Sequence, residues 1–170
     1  MTILPEILDC REFVNADEIA RGLSPFQPEA VSFQAGRIML HRIKELLKEG
    51  KDFAFETTLS TKSYVPFITH AKELGYTIVL IYFWLESVDL AKNRVVERVK
   101  GGGHSIPEAT IERRYYRGLR NFFKLYQSLS DSWIMYDNSK ELPTPLAKGN
   151  GIIISKVYNH DIWKIIEANE

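Results

Sequence analysis

The stretch TIVLIYFWL, residues 77–85, decides the fold class of this chain. It is continuously apolar and rich in β-branched and aromatic residues, which is typical of a strand with helices packed on both of its faces. Helical periodicity on either side predicts helices over residues 64–74 and 88–99. A strand between helices favours an α/β fold of three layers, α/β/α, with a mainly parallel sheet.

The rest of the chain continues this alternation. A helical turn over residues 17–21 is expected to break at Gly22, and a capping box is expected at Ser105 and Glu108. Further short strands are predicted to end at residue 14 or 15 and to cover residues 53–55, 133–136 and 152–157. Further helices are predicted over residues 2–8, from about residue 31 to Gly50, from Pro107 onward and over residues 161–168.

The composition is that of an ordinary globular protein. At 170 residues, with 45% hydrophobic and 26% charged residues, the chain is expected to form one domain over residues 1–170. Lys plus Arg and Asp plus Glu both number 22, so no global field attracts nucleic acid or an acidic membrane. Any anion site must therefore come from a local cluster of charges.

Cysteine content and hydropathy favour the cytoplasm. Cys10 is the only cysteine, so neither an intramolecular disulfide nor a cysteine-based zinc site is expected. No apolar stretch approaches the ~20 residues that span a bilayer, and residues 1–13 lack the pattern of a signal peptide. We therefore expect a cytoplasmic protein with no membrane partner.

The segment FVNADEIARGLSPF, residues 13–26, places an aspartate just after a predicted strand. Ligands of open α/β sheets collect beyond the carboxyl ends of strands. Asp17 could there accept a proton from a substrate hydroxyl that attacks phosphorus. The alternative is structural, since Asn15 or Asp17 could instead cap the following helix.

The segment FAFETT, residues 53–58, ends a second strand on a carboxylate. Glu56 at that position could lie near magnesium or near the attacking oxygen, and Thr57 and Thr58 could hold polar atoms of a substrate. A polar turn at the end of a strand is the competing interpretation.

The segment RVKGGGHSIPEATIERRYYRGLRNF, residues 98–122, has the features of a hinged arm. Arg98 precedes three glycines, and the helix that follows carries Arg113 and Arg117 on one face, with Arg120 in the same sector. Guanidinium groups on a closing lid can neutralise a transferring phosphoryl group, which is worth about 10³–10⁵ in rate. A solvated basic face is the alternative.

Two more residues are candidates for a site. Asn138 follows the strand at 133–136 and could border a nucleotide base or simply form a turn. His104 lies beside the glycines, although the four histidines have no metal-ligand spacing such as HExxH. Residues 113–126 also mix basic and aromatic side chains, but zero net charge does not favour nucleic acid as a partner.

In this order the motifs resemble the zeta-toxin family of P-loop kinases and its chromosomal relatives, from Phe13 to the loop at 137–139. The resemblance implies a P-loop-kinase fold and transfer of the γ-phosphoryl group of ATP, with Mg²⁺, to a hydroxyl of a small molecule. Toxin members modify UDP-N-acetylglucosamine, so the resemblance suggests a nucleotide sugar as the acceptor. An antitoxin-like protein or self-association is a further expectation.

The resemblance also implies roles for the candidate residues. Asp17 would be the base that activates the acceptor hydroxyl. Glu56 and Thr57, together with Thr58, would line the acceptor pocket.

For the arginines, the resemblance implies contact with phosphates. Arg98 would lie at the start of a helical lid around residues 98–126, and Arg98, Arg113 and Arg117 would be the catalytic arginines. Spacing alone leaves Arg113 and Arg114 as alternatives for one of these positions.

The chain departs from the family at the donor site. Family members begin with an apolar strand that runs into G-x-x-x-x-G-K-[ST], whose amides and lysine hold the phosphates, and this sequence has no such motif. The missing strand would be central, between the strand that ends at Glu56 and the strand at 77–85. Residues 152–157 or a partner chain could fill its place, the sheet could rearrange, or the chain could be part of a longer protein, which we favour.

Without a phosphate-binding loop, the 170-residue chain is expected to have little or no kinase activity. The alternative is a non-catalytic module that uses the same cleft to bind a nucleotide sugar or a protein.

Overall fold

A computed structural model describes residues 10–101, 103 and 105–168. The helix predicted over residues 2–8 lies outside the described residues. The chain divides into two compact units, one of Met1–Thr57 with Gly102–Ser105 and one of Thr58–Gly101 with Ile106–Glu170. They are called the first and second units below.

The first unit pairs a small parallel sheet with helices. Its strands β1 and β2 are parallel, with Phe13 opposite Ala54 and Val14 opposite Phe55. Its elements within residues 10–57 are β1 (Phe13–Val14), α1 (Ala16–Leu23), a 3₁₀ turn (Pro28–Val31), α2 (Ser32–Glu49) and β2 (Ala54–Phe55).

Helix α2 provides most of the core of the first unit. Its buried residues repeat at helical spacing, as its sequence predicts: Ala35, Met39, Ile43, Leu46 and Leu47. It ends at Gly50, which has a φ of 66° in the left-handed region that favours glycine. The break expected at Gly22 does not occur, because α1 continues through this residue to Leu23.

The second unit contains a four-stranded sheet in the order β3-β4-β5-β6. Its strands are β3 (Val79–Trp84), β4 (Ser132–Asp137), β5 (Thr144–Asn150) and β6 (Ile153–Val157). Its helices are α3 (Val65–Glu73), α4 (Val88–Lys100), α5 (Glu108–Asn121), a π-helical segment (Phe122–Tyr126), α6 (Gln127–Leu129) and α7 (His160–Ala168). Pro107 precedes α5 without a side-chain cap, so the expected capping box is not formed.

The chain is α/β, but the expectation of a mainly parallel sheet is wrong for the second unit. Only β3 and β4 are parallel there, whereas β4–β5 and β5–β6 are antiparallel. The connections after β4 and β5 are too short for a crossover helix, and short connections join antiparallel strands. The strand predicted at 152–157 is β6, which lies at the opposite edge of the sheet from β3 and does not pair with it.

Strand β3 is covered less completely than its sequence predicts. Leu80, Tyr82 and Trp84 face the hydrophobic core. On the other face Val79 is 58% exposed and Phe83 is 45% exposed. The ring of Phe83 stacks on that of Tyr136 in β4, with centroids 5.6 Å apart. One face of this strand therefore carries apolar side chains that remain partly exposed.

The core of the second unit is aromatic. Phe122 meets Trp133 edge to face, with ring centroids 5.5 Å apart, and Trp133 stacks on Trp163 at 6.1 Å. Around them lie Tyr126, Met135, Leu146, Ala147 and Ile166, each at most 1% exposed. The π-helical segment is thus held in the core, which fixes the end of the arginine-bearing helix α5. Within the described residues, no helix combines the length and apolar character needed to cross a membrane.

Candidate functional site

Two carboxylates follow the carboxyl ends of the parallel strands of the first unit. Glu56 comes directly after β2, and its backbone N–H donates to the carbonyl of Val14 in β1 at 3.2 Å. Asp17 lies in the first turn of α1. Both residues are exposed. They occupy the edge of the sheet at which the sequence predicts them.

Asn15 links these two positions. Its Oδ1 accepts hydrogen bonds from the backbone N–H groups of Asp17 at 2.7 Å and of Glu18 at 3.3 Å. Its Nδ2 donates to Oε2 of Glu56 at 2.9 Å. The capping role that the sequence leaves open between Asn15 and Asp17 therefore belongs to Asn15, which orients the Glu56 carboxylate as well.

We expect Asn15→Ala to destabilise the first unit by about 1 kcal/mol, because it removes the helix cap and the bond to Glu56. Asn15→Ser is the matched control. Serine keeps an oxygen that can cap the helix, but it lacks the amide group that donates to Glu56. The measurement is the midpoint of urea unfolding followed by far-UV circular dichroism. An Asn15→Ala midpoint equal to that of the wild type would contradict the capping role.

The two threonines predicted to line an acceptor pocket fall at the boundary between the units. Thr57 is half-buried and ends the main segment of the first unit. Thr58 is exposed and begins the second unit, where its Oγ1 lies 2.9 Å from Oγ of Ser60 in a hydrogen bond.

The three arginines predicted to be catalytic are all exposed and belong to the second unit. Arg98 lies in the last turn of α4. Arg113 and Arg117 lie one turn apart in α5, on the shared face that their spacing predicts. Arg117 lines a pocket of the second unit, whereas Arg98 and Arg113 are not among its lining residues.

This pocket, called the basic pocket below, has a volume of about 580 Å³. One wall is the end of α5 with the π-helical segment, and the other is the loop that follows Thr58. Its lining carries four cations and no carboxylate, and consists of Ser60, Thr61, Lys62, Arg117, Arg120, Asn121, Lys124 and Leu125.

The loop wall of the basic pocket is fixed to the helix wall by buried contacts. The buried Asn121 donates from Nδ2 to the carbonyl of Leu59 at 2.7 Å. The hydroxyl of Tyr126 donates to the carbonyl of Thr61. Desolvation by burial raises the pKa of Tyr126, so this phenol stays protonated and remains a donor at neutral pH.

The close approach of the two walls requires a glycine. A Cβ on Gly118 would lie 2.6 Å from the backbone carbonyl oxygen of Thr58, which is closer than atoms in contact can come. Leu59 itself has a φ of 53°, in a region that a bulky residue adopts at a cost of about 1–3 kcal/mol. Such strained residues cluster at binding sites, because surrounding contacts must hold them in place.

The helix wall has a second unusual feature. Phe122–Tyr126 is π-helical, and single π-helical turns within α-helices occur frequently at functional sites. Lys124 lies within this segment, and Arg120 lies just before it. The strained loop and the π-helical segment therefore meet at one pocket.

Sequence reasoning missed most of the basic pocket. It identified Arg117 and noted Arg120, but not Ser60, Thr61, Lys62 and Lys124. A signal for them was present, since Lys124 follows Arg117 at i+7 and lies on the same helical face. On the loop side, the hydroxyl-rich run TTLSTKS at 57–63 continues directly from the predicted acceptor motif.

Asn138 directly follows β4, in the connection to β5, and is hydrogen-bonded to the end of β3. Its backbone N–H donates to the carbonyl of Trp84 at 2.8 Å, and its carbonyl accepts from Nη2 of Arg94. Ser139 closes the turn by donating its N–H to Oδ1 of Asp137 at 2.9 Å. These bonds fit the turn interpretation, and a nucleotide contact by Asn138 stays a prediction.

The Mg²⁺ and ATP that the family resemblance implies stay predictions. In the described residues, no group of three or more His, Cys, Asp or Glu side chains is placed to hold a metal ion. The sequence also lacks the G-x-x-x-x-G-K-[ST] motif. His104 lies outside the described residues.

Comparison with known proteins finds an uncharacterized relative. Over 102 residues the chain is 32% identical to an uncharacterized protein of Haemophilus influenzae, and the matched segment is 60% of this chain and 73% of that protein. The chain belongs to the family of this Haemophilus protein. No protein-family model and no solved structure matches the chain. Membership in this family assigns no activity, so the function has to be argued from the site.

Proposed function

We propose that this chain is the acceptor-binding part of a zeta-toxin-like phosphotransferase, a scaffold for transfer of phosphate from ATP to a hydroxyl of a small molecule such as a nucleotide sugar. Its parent fold is a three-layer P-loop kinase that here lacks the central first strand. Because no donor loop is present in these 170 residues, the chain alone does not turn over ATP.

The order of the strands supports this proposal most strongly. The described strands divide into β1–β2 and β3–β4–β5–β6. β2 and β3 belong to different sheets, and a kinase of this family would have its phosphate-loop strand paired with both of these strands. The pairs β1–β2 and β3–β4 are each parallel, as a P-loop sheet requires.

In this proposal the acceptor binds beside β1 and β2. Asp17 accepts the proton of the acceptor hydroxyl, a role for which an exposed carboxylate after a strand is suited. Glu56, held by Asn15, accepts hydrogen bonds from neighbouring hydroxyls, and the hydroxyl of Thr57 adds a further polar contact. ATP, with Mg²⁺ on its phosphates, would supply the phosphoryl group and leave as ADP.

The test is calorimetry with UDP-N-acetylglucosamine, together with an ATP-turnover assay in the presence of Mg²⁺. We expect binding without turnover, and about tenfold weaker binding in Asp17→Asn, since one hydrogen bond to a charged group is lost. Glu18→Gln is the matched control in the same helical turn, and it changes only an exposed pair with Arg21. Absence of binding, or equal affinity in Asp17→Asn and the wild type, would overturn the acceptor site, and turnover by the 170-residue chain would overturn its inactivity.

A second candidate is a non-catalytic binding module, and the basic pocket favours it. That pocket lies entirely within the second unit and uses none of the predicted acceptor residues of the first. The same calorimetry separates the two candidates. A module that binds only through the basic pocket would keep its affinity in Asp17→Asn.

A further inference from the structure

We propose that the basic pocket binds a small molecule that carries at least two adjacent phosphate groups. This proposal does not require phosphotransfer, because it uses neither Asp17 nor Glu56, although Arg117 is also one of the arginines predicted for the lid. The shared chemistry is the diphosphate group, whether free or esterified to an organic alcohol.

The charges of the lining select a multiply charged anion. Arg117, Arg120 and Lys124 come from the helix wall, and Lys62 comes from the loop. Within the described residues, no carboxylate forms an ion pair with Arg117, Arg120 or Lys62. These three like charges around one cavity repel one another, so a ligand with several negative charges relieves the repulsion. A ligand with a single carboxylate would neutralise too little of this positive charge.

Geometry favours phosphate oxygens as the ligand atoms. Guanidinium groups form paired hydrogen bonds to phosphates, and a lysine adds a mobile point charge. Arg117 and Arg120 lie three residues apart in α5 and therefore on one face of that helix, and Lys124 in the π-helical segment lines the same pocket. A diphosphate has oxygens on two phosphorus atoms and can bridge neighbouring cations of this lining.

The pocket is also preorganised for a ligand. Gly118, Asn121 and Tyr126 hold the loop against the helix through the contacts described above. The hydroxyls of Ser60 and Thr61 are oriented by bonds to Oγ1 of Thr58 and Oγ of Ser63, at 2.9 and 2.7 Å. Little conformational entropy remains to be lost in the loop when an anion binds.

The size of the pocket favours a small molecule over nucleic acid. Its volume of about 580 Å³ falls within the range of roughly 300–1,000 Å³ that is usual for small-molecule sites. Nucleic acid affinity depends on many phosphate contacts spread over a surface. This chain has equal numbers of basic and acidic residues, 22 of each, and concentrates four cations in one cavity.

The test is isothermal titration calorimetry of the full chain with inorganic pyrophosphate, and with orthophosphate for comparison, at low salt. We expect saturable binding of one pyrophosphate per chain, weaker binding of orthophosphate, and a further loss of affinity as salt is added. Arg120→Ala and Lys62→Ala should each weaken pyrophosphate binding about tenfold to a hundredfold. Arg120→Ala removes a charge from the helix wall and Lys62→Ala removes one from the loop wall, and neither changes the buried core.

Arg114→Ala is the matched control, because Arg114 is an exposed arginine of the same helix that does not line the pocket. Its affinity for pyrophosphate should equal that of the wild type. The proposal is overturned if pyrophosphate does not bind, or if Arg114→Ala loses as much affinity as Arg120→Ala. It is also overturned if a single-stranded RNA binds more tightly than pyrophosphate and displaces it.

Discussion

Phe122→Ala is expected to lower the free energy of unfolding of the second unit by about 3–5 kcal/mol. Phe122 is 0% exposed, and its ring contacts those of Tyr82, Phe123 and Trp133 at centroid distances of 5.1, 5.0 and 5.5 Å. Truncation leaves a cavity between the π-helical segment and the sheet that the surrounding aromatic rings are too stiff to fill. A loss of this size approaches the whole stability of a small domain.

The fluorescence of tryptophan is a selective probe for this prediction. All three tryptophans, Trp84, Trp133 and Trp163, belong to the second unit, so urea unfolding followed by fluorescence reports that unit. Leu142→Ala is the control, because Leu142 is 74% exposed and its truncation should change the unfolding free energy by less than about 0.5 kcal/mol. If Phe122→Ala lowers the free energy of unfolding by less than about 1 kcal/mol, the π-helical segment is not anchored in the core.

Much of the fold is predictable from the sequence because local patterns dictate it. Strand β3 follows from nine successive residues without a charge, TIVLIYFWL, and α2 follows from its apolar period and from the glycine that stops it. Strand β5 is not predicted, because TPLAKGN contains proline as well as glycine and asparagine, which are rare in strands. It forms only because β4 on one side and β6 on the other offer it hydrogen-bonding partners.

The candidate site is less predictable, because it depends on contacts between distant parts of the chain. The helical period places Arg113 and Arg117 on one face of α5. It does not predict that Arg117 lines the pocket while Arg113 does not. That difference is set by the loop at 58–62, which packs near Gly118 and therefore close to Arg117. Nothing within the helix sequence reveals where the loop lies, so Lys62 could not be assigned to the same site.

Gly118→Ala should destabilise the second unit by about 1–3 kcal/mol, because the new Cβ overpacks the interface between α5 and the loop. The Cβ would lie 2.6 Å from a backbone oxygen, that of Thr58, and 3.4 Å from the hydroxyl of Tyr82. A backbone atom cannot rotate away as a flexible side chain would, so the loop itself must move. Gly118→Ala should also weaken pyrophosphate binding, because Lys62 lies on the displaced loop.

Helix propensity alone predicts the opposite sign, which makes this substitution informative. Alanine in place of a mid-helix glycine stabilises a helix by up to about 1 kcal/mol. Gly36→Ala in α2 tests this effect of helix propensity by itself, because a Cβ on Gly36 meets no atom within 4 Å. We expect Gly36→Ala to raise the midpoint of thermal unfolding followed by circular dichroism, and Gly118→Ala to lower it. If both substitutions raise the midpoint, the helix and the loop are not in close contact, and the basic pocket does not have the walls described here.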